Sequence, residues 1–132
     1  MSNLVHSAHE AALQHAQRGG AVARVVVALC ADWCGTCREF APAFARLAAA
    51  FPDALFVWLD VEDDSDVAGD IEVDNFPTLA VYADGHPVHF GVTLPLEPVV
   101  HRLLRTLDGA AAPIAAGAAV AGLPQRLFGT IK

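Results

Sequence analysis

An apolar run that leads directly into two closely spaced thiols constrains this chain more than any other feature. Val25-Val26-Val27 is β-branched, and Ala23 to Ala31 is apolar throughout apart from Arg24. Such a run fits a central strand covered on both faces. Trp33-Cys34-Gly35-Thr36-Cys37 follows at once, and then residues at helical spacing. Both thiols therefore sit at a helix N-terminus, two residues apart, where a short disulfide ring can close. A helix N-terminus also favours thiolate over thiol. On spacing alone three uses are open for Cys34 and Cys37: a redox pair, metal ligands, or inert thiols. Zinc takes about four ligands, and the chain has no second CxxC or CxxH, so redox use is favoured. The third thiol, Cys30, ends the apolar run and reads as a buried, inert cysteine.

Around this junction the chain alternates between strand and helix signals. Leu4 to Arg18 carries apolar residues at helical spacing and stops at Gly19-Gly20. Gly35 to Phe51 reads as a long helix with Phe40, Phe44, Leu47 and Ala48 on one face; Pro42 inside it should kink it. Asp53 to Val61 is a second strand, which completes a βαβ unit. A short helix is expected around Asp64 to Asp70. Thr78 to Ala83 and Val88 to Val92 read as strands joined through Asp84-Gly85, a hairpin signal. Leu96 to Leu107 is a final helix with an apolar face, stopped by Asp108-Gly109. The predicted order is α-β-α-β-α-β-β-α over residues 1–108. Residues 109–132 form an Ala/Gly/Pro-rich tail expected to be weakly ordered. The alternative is a docking element in which Leu127, Phe128 and Ile131 cover an apolar patch.

Composition narrows the partners. The net charge is −7 with only eight Lys and Arg, and no basic run exists, which excludes nucleic acid and an anionic membrane as natural partners. The start lacks a basic and apolar leader pattern and no stretch is long enough to span a bilayer, so a cytoplasmic protein is expected. The acidic run from Asp60 to Asp74 lacks the ligand spacing of a calcium loop and reads as a solvated face. The six histidines join no cluster, read as surface residues, and no metal site is expected.

These residues resemble the thioredoxin family, across roughly Leu4 to Leu107. Cys34-Gly35-Thr36-Cys37 with Trp33 before it is similar to the family's redox motif, and Ala41-Pro42 to its active-site helix kink. Phe76-Pro77-Thr78 is similar to its cis-proline turn, Asp84-Gly85 to its hairpin turn, and Gly91 to the glycine that helps form its substrate groove. The resemblance implies an α/β thioredoxin fold, a central mixed β-sheet flanked by helices. It also implies a thiol–disulfide oxidoreductase whose only cofactor is its own Cys34–Cys37 disulfide. Cys34 would attack a target disulfide and Cys37 would resolve the mixed disulfide. Trp33, Gly35, Thr36, Phe76, Pro77, Thr78 and Gly91 would bind the target. Implied partners are disulfide-containing proteins, basic or neutral near the target bond, and a reductase or other thiol donor; oligomeric state is left open. A second reading is a binding or chaperone-like module whose thiols are a redox switch.

The chain also departs from the family pattern. The family's buried aspartate beneath the second cysteine corresponds to Ala28, and its lysine partner to Trp58. The proline between the cysteines is Thr36, and Asp74 stands before the Asn75-Phe76-Pro77 turn. Losing both charges together is consistent, because either one buried alone would be costly. Cys37 should then deprotonate less readily, and Asp32 and Asp74 should favour basic targets.

Overall fold

The computed structural model describes residues 3–17, 24–31, 33–69, 71–73, 75–107 and 112–128. In chain order its elements are β1 (Leu4–Val5), α1 (Ala8–Gln17), β2 (Arg24–Cys30), α2 (Gly35–Ala50), β3 (Ala54–Asp60) and α3 (Ser65–Ala68). There follow β4 (Thr78–Ala83), β5 (His86–Val92), α4 (Glu97–Thr106), α5 (Ala118–Ala121) and α6 (Leu123–Phe128). The strands make one mixed sheet in the order β1-β3-β2-β4-β5. β2 lies at its centre, parallel to β3 and antiparallel to β4.

Alternation along β2 decides which helices cover which face. Val25, Val27 and Leu29 point to one side with Leu55, Val57, Leu59 and Tyr82. Val26 and Ala28 point to the other with Phe56, Leu79 and Val81, beneath Phe40 and Phe44 of α2 and Val100 and Leu104 of α4. Burial on both faces is what the unbroken apolar run requires. The expected α/β thioredoxin-type arrangement is therefore present, with α2 running on through Pro42.

Two segments differ from the sequence reading. Leu4-Val5 is not the first turn of a helix but an edge strand parallel to β3. Asn3 anchors it, its side-chain amide donating to the carbonyls of Ala48, Phe51 and Ala54 at 2.8–3.0 Å. The helix begins later, at a capping box: the Glu10 amide donates to Ser7 Oγ, and the His6 amide donates to Glu10 Oε1.

The tail differs more. Residues 112–128 do not lie loose; α6 packs against α1 and α3, and α5 against β5. Val120, Leu123 and Leu127 are buried in the core on the α1 face. Arg126 donates through Nε to the Val67 carbonyl and through Nη2 to the Ala119 carbonyl, both at 2.6 Å. Tyr82 Oη donates to the Val120 carbonyl, also at 2.6 Å. The Ala/Gly segment is a poor autonomous helix former. Three buried aliphatic side chains and this polar clamp hold it. Of the positions used above, Arg18, Gly19-Gly20, Ala23, Asp32, Asp70, Asp74, Asp108-Gly109 and Ile131 lie outside the described residues.

Candidate redox site

The site forms where β2 ends and α2 begins. Cys34 is the extended N-cap residue of α2, with φ −85° and ψ 115°. Its amide donates to the Ala31 carbonyl at 3.0 Å and its carbonyl accepts from the Arg38 amide at 3.2 Å, which ties the connecting turn to the helix. Its thiol is free and half-buried. Gly35 and Thr36 are exposed on the first turn, whereas Cys37 faces inward and is buried.

The second wall comes from the opposite side of β2. Leu29 pairs with Thr78, so the turn preceding β4 lies beside the end of β2. The Phe76-Pro77 peptide bond in that turn is cis. Exposed Trp33 stands edge-on to Phe76, ring centroids 5.6 Å apart at 82°. Thr78 is buried and its hydroxyl donates to the Asn75 carbonyl at 2.7 Å, so it supports the turn from below. Gly91 sits on edge strand β5, paired with Leu79. The fold thus gathers Trp33, Cys34, Phe76 and Pro77 at one rim, with Gly91 one strand further out. Thr93, not anticipated from the sequence, closes the rim by donating its amide to the Pro77 carbonyl at 3.1 Å.

Cys30 departs from its expected inert role. It is disulfide-bonded to Cys37, with Cα atoms 5.9 Å apart, within the ordinary range for a disulfide. A sulfur carries one disulfide at a time, so this bond and the expected Cys34–Cys37 bond exclude each other. Strand alternation explains the pairing. Val26 and Ala28 face α2, and Cys30, two residues on, shares their face. The alternation that puts Val26 and Ala28 on the α2 face extends to Cys30, so the signal is present in the sequence.

Below Cys37 lies a cleft of about 200 Å³ lined by Leu4, His6, Ala31, Cys37, Arg38, Ala41, Phe44 and Trp58. Ala28 pairs with Trp58 across β2 and β3. The indole packs on Phe40 and Phe44, with centroids 6.3 and 5.6 Å away. Space that an ion pair would occupy is filled by an aromatic cluster. Asp60, the register partner of Cys30, departs from the solvated reading of the acidic run, in which Glu62, Asp63, Asp66 and Glu72 are exposed. It is buried, and its Oδ1 accepts the Glu62 and Asp63 amides at 2.8 and 2.9 Å.

Three histidines also leave the solvated class, among them His101, whose ring lies 5.0 Å from that of Phe51. His15 stacks on Phe128 at 4.1 Å, and burial lowers its pKa and that of His89. Among the described residues no group of three or more His, Cys, Asp or Glu is placed to hold a metal. No helix among them is long and apolar enough to cross a membrane.

Comparison with known proteins agrees with this geometry. The sequence profile of the family described as Thioredoxin matches residues 2–94. Thioredoxin-2 of Saccharomyces cerevisiae is 45% identical over 64 residues, which cover 48% of this chain and 62% of that protein. A thioredoxin H-type of Oryza sativa is 38% identical over 76 residues, 58% of this chain and 61% of that one. The chain thus spans about three-fifths of the length of these curated relatives. Among solved structures, a mutant thioredoxin from Halobacterium salinarum superposes with a TM-score of 0.57 at 29% identity, covering 70% of this chain and 78% of that one. Fasciola hepatica thioredoxin gives 0.62 at 25% identity, covering 78% and 96%. With the profile extending over most of the chain, the chain belongs to the thioredoxin family.

Proposed function

We propose that this protein is a thiol–disulfide oxidoreductase acting on protein disulfides, with Cys34 as nucleophile and Cys37 as resolving thiol. The observation that carries the reading is the free, half-buried Cys34 thiol at the start of α2, beside exposed Trp33 and the cis Phe76–Pro77 turn. Cys34 as thiolate attacks one sulfur of the target disulfide, and the target's other sulfur leaves as thiolate. Cys37 as thiolate then attacks Cys34 Sγ, which forms Cys34–Cys37 and releases the reduced target. The Trp33 and Phe76 rings give the target an apolar surface, and the exposed first turn with Gly35 and Thr36 leaves Cys34 accessible.

Cys37 is the slower partner in this scheme. Ala28 supplies no proton acceptor, and among the described residues the other ionisable groups lining the cleft beside Cys37 are His6 and Arg38. The donor that returns the site to its dithiol form is a reductase or small thiol, in a reducing compartment such as the cytoplasm. Targets carrying basic or neutral residues suit a chain of net charge −7.

Dithiothreitol-driven reduction of insulin tests the reading. Wild type is expected to accelerate it, Cys34→Ser to abolish it, and Cys37→Ser to lower it strongly. A second reading, a redox switch without turnover, is favoured by the Cys30–Cys37 bond, which withholds the resolving thiol. It predicts disulfide formation under oxidant with no insulin reduction by wild type.

A further inference from the structure

Three thiols meet at the end of β2 and the first turn of α2, and Cys37 can bond only one of the other two. Cys30 holds it, although Cys34 is its neighbour in the motif and is free. Cys30 and Cys37 are each 1% exposed, so a folded target reaches neither directly. Cys34 is half-buried and open to solvent. Both partners of the bond are carried by regular structure. Cys30 lies on the central strand, its carbonyl accepting the Val61 amide at 2.9 Å, and Cys37 lies in the first turn of α2.

We propose that Cys30 is a third redox residue, which takes Cys37 from Cys34 by internal thiol–disulfide exchange. This rests on the reading above, in which Cys34–Cys37 forms during turnover. The Cys30 thiolate attacks Cys37 Sγ of that disulfide. The Cys30–Cys37 bond forms as Cys34–Cys37 breaks, and the electron pair leaves on Cys34 Sγ. The proton given up by Cys30 returns to Cys34 through solvent. One disulfide and one thiol stand on each side, so no oxidant or reductant is consumed.

The product keeps its attacking thiol and has lost its resolving one. A target disulfide that meets Cys34 in this form is held as a mixed disulfide until a dithiol donor reduces Cys30–Cys37. Oxidising conditions thus convert the site from turnover to target capture.

Peptide mapping tests this on the full chain. The protein is oxidised with one equivalent of diamide, and remaining thiols are blocked with N-ethylmaleimide under denaturing acid conditions. The monomer is then cut with trypsin and Asp-N. Cleavage after Arg24, before Asp32 and after Arg38 puts Cys30 in peptide 25–31, and Cys34 with Cys37 in peptide 32–38. The expected result is the two peptides joined, with maleimide on Cys34, alone or beside the internally closed 32–38 form. Cys34→Ser should give the same joined pair, and Cys30→Ala only closed 32–38. Closed 32–38 with maleimide on Cys30 in all wild-type monomer overturns the proposal, as does a link from Cys30 to Cys34. The insulin assay reads separately. Joined peptides without insulin reduction remove the catalytic reading and leave the Cys30–Cys37 pairing standing.

Discussion

Ala28 and Trp58 stand where the family pattern has a buried aspartate and its lysine partner. They pair across β2 and β3, and the indole fills the space against Phe40 and Phe44. A carboxylate introduced there would meet aromatic rings in place of a cation. Ala28→Asp is therefore expected to lower stability by about 3 kcal/mol, the scale of an unpaired buried charge, as read by urea unfolding. An unchanged midpoint would mean that water or a cation reaches the introduced carboxylate. The same residue shows how far the sequence could be read. Position 28 was legible only through the resemblance to the family, whose buried aspartate it replaces. Cys30 was legible only by extending strand alternation two residues further, and an apolar neighbourhood hid its reactivity.

Among the elements, the long periodic ones were readable, as were the short α3, β4 and β5, whereas β1, α5 and α6 were not. β2, α2, β3 and α4 have enough repeats for their spacing to be decisive, and their ends fall within one or two residues of the expected places. β1 has two residues, too few for alternation to show, and its apolar pair fell in step with the helix after it. The Ser7-x-x-Glu10 cap was the available signal for the true helix start. α5 and α6 owe their existence to tertiary contacts that local composition does not encode. Leu127→Ala should cost about 2–5 kcal/mol, the usual range for a fully buried leucine. A loss below about 0.5 kcal/mol in urea unfolding, the scale of an ordinary surface substitution, would show that α6 adds little to the core.

Tyr82 links this docking to pH. Its hydroxyl donates to Val120, and burial pushes its pKa well above the ordinary value of 10, with Arg126 opposing. The folded state thus favours the neutral hydroxyl. The stability it contributes is whole below pH 10 and is lost as pH rises above that value. Tyr82→Phe should cost about 1 kcal/mol near neutrality and make the loss above about pH 10 shallower. Parallel wild-type and variant curves across that range would contradict the assignment.

At the scale of the molecule, the sheet brings one half-buried thiol and two buried ones to the same edge of a single core. Net charge then bears on the choice of target. Disulfide peptides of opposite charge should react at different rates at low salt, the basic one faster, with the gap closing as salt is added. Equal rates at low salt would remove charge from the account.

The central claim is that Cys34 attacks and Cys37 resolves. Cys37→Ala removes resolution and leaves the attack, so mixing this variant with a disulfide-linked peptide and recording the intact mass tests it directly. The account predicts a stable one-to-one adduct, reversed by dithiothreitol and carried by fragment 32–38, which then holds Cys34 alone. No adduct, or an adduct on fragment 25–31 and hence on Cys30, would contradict it.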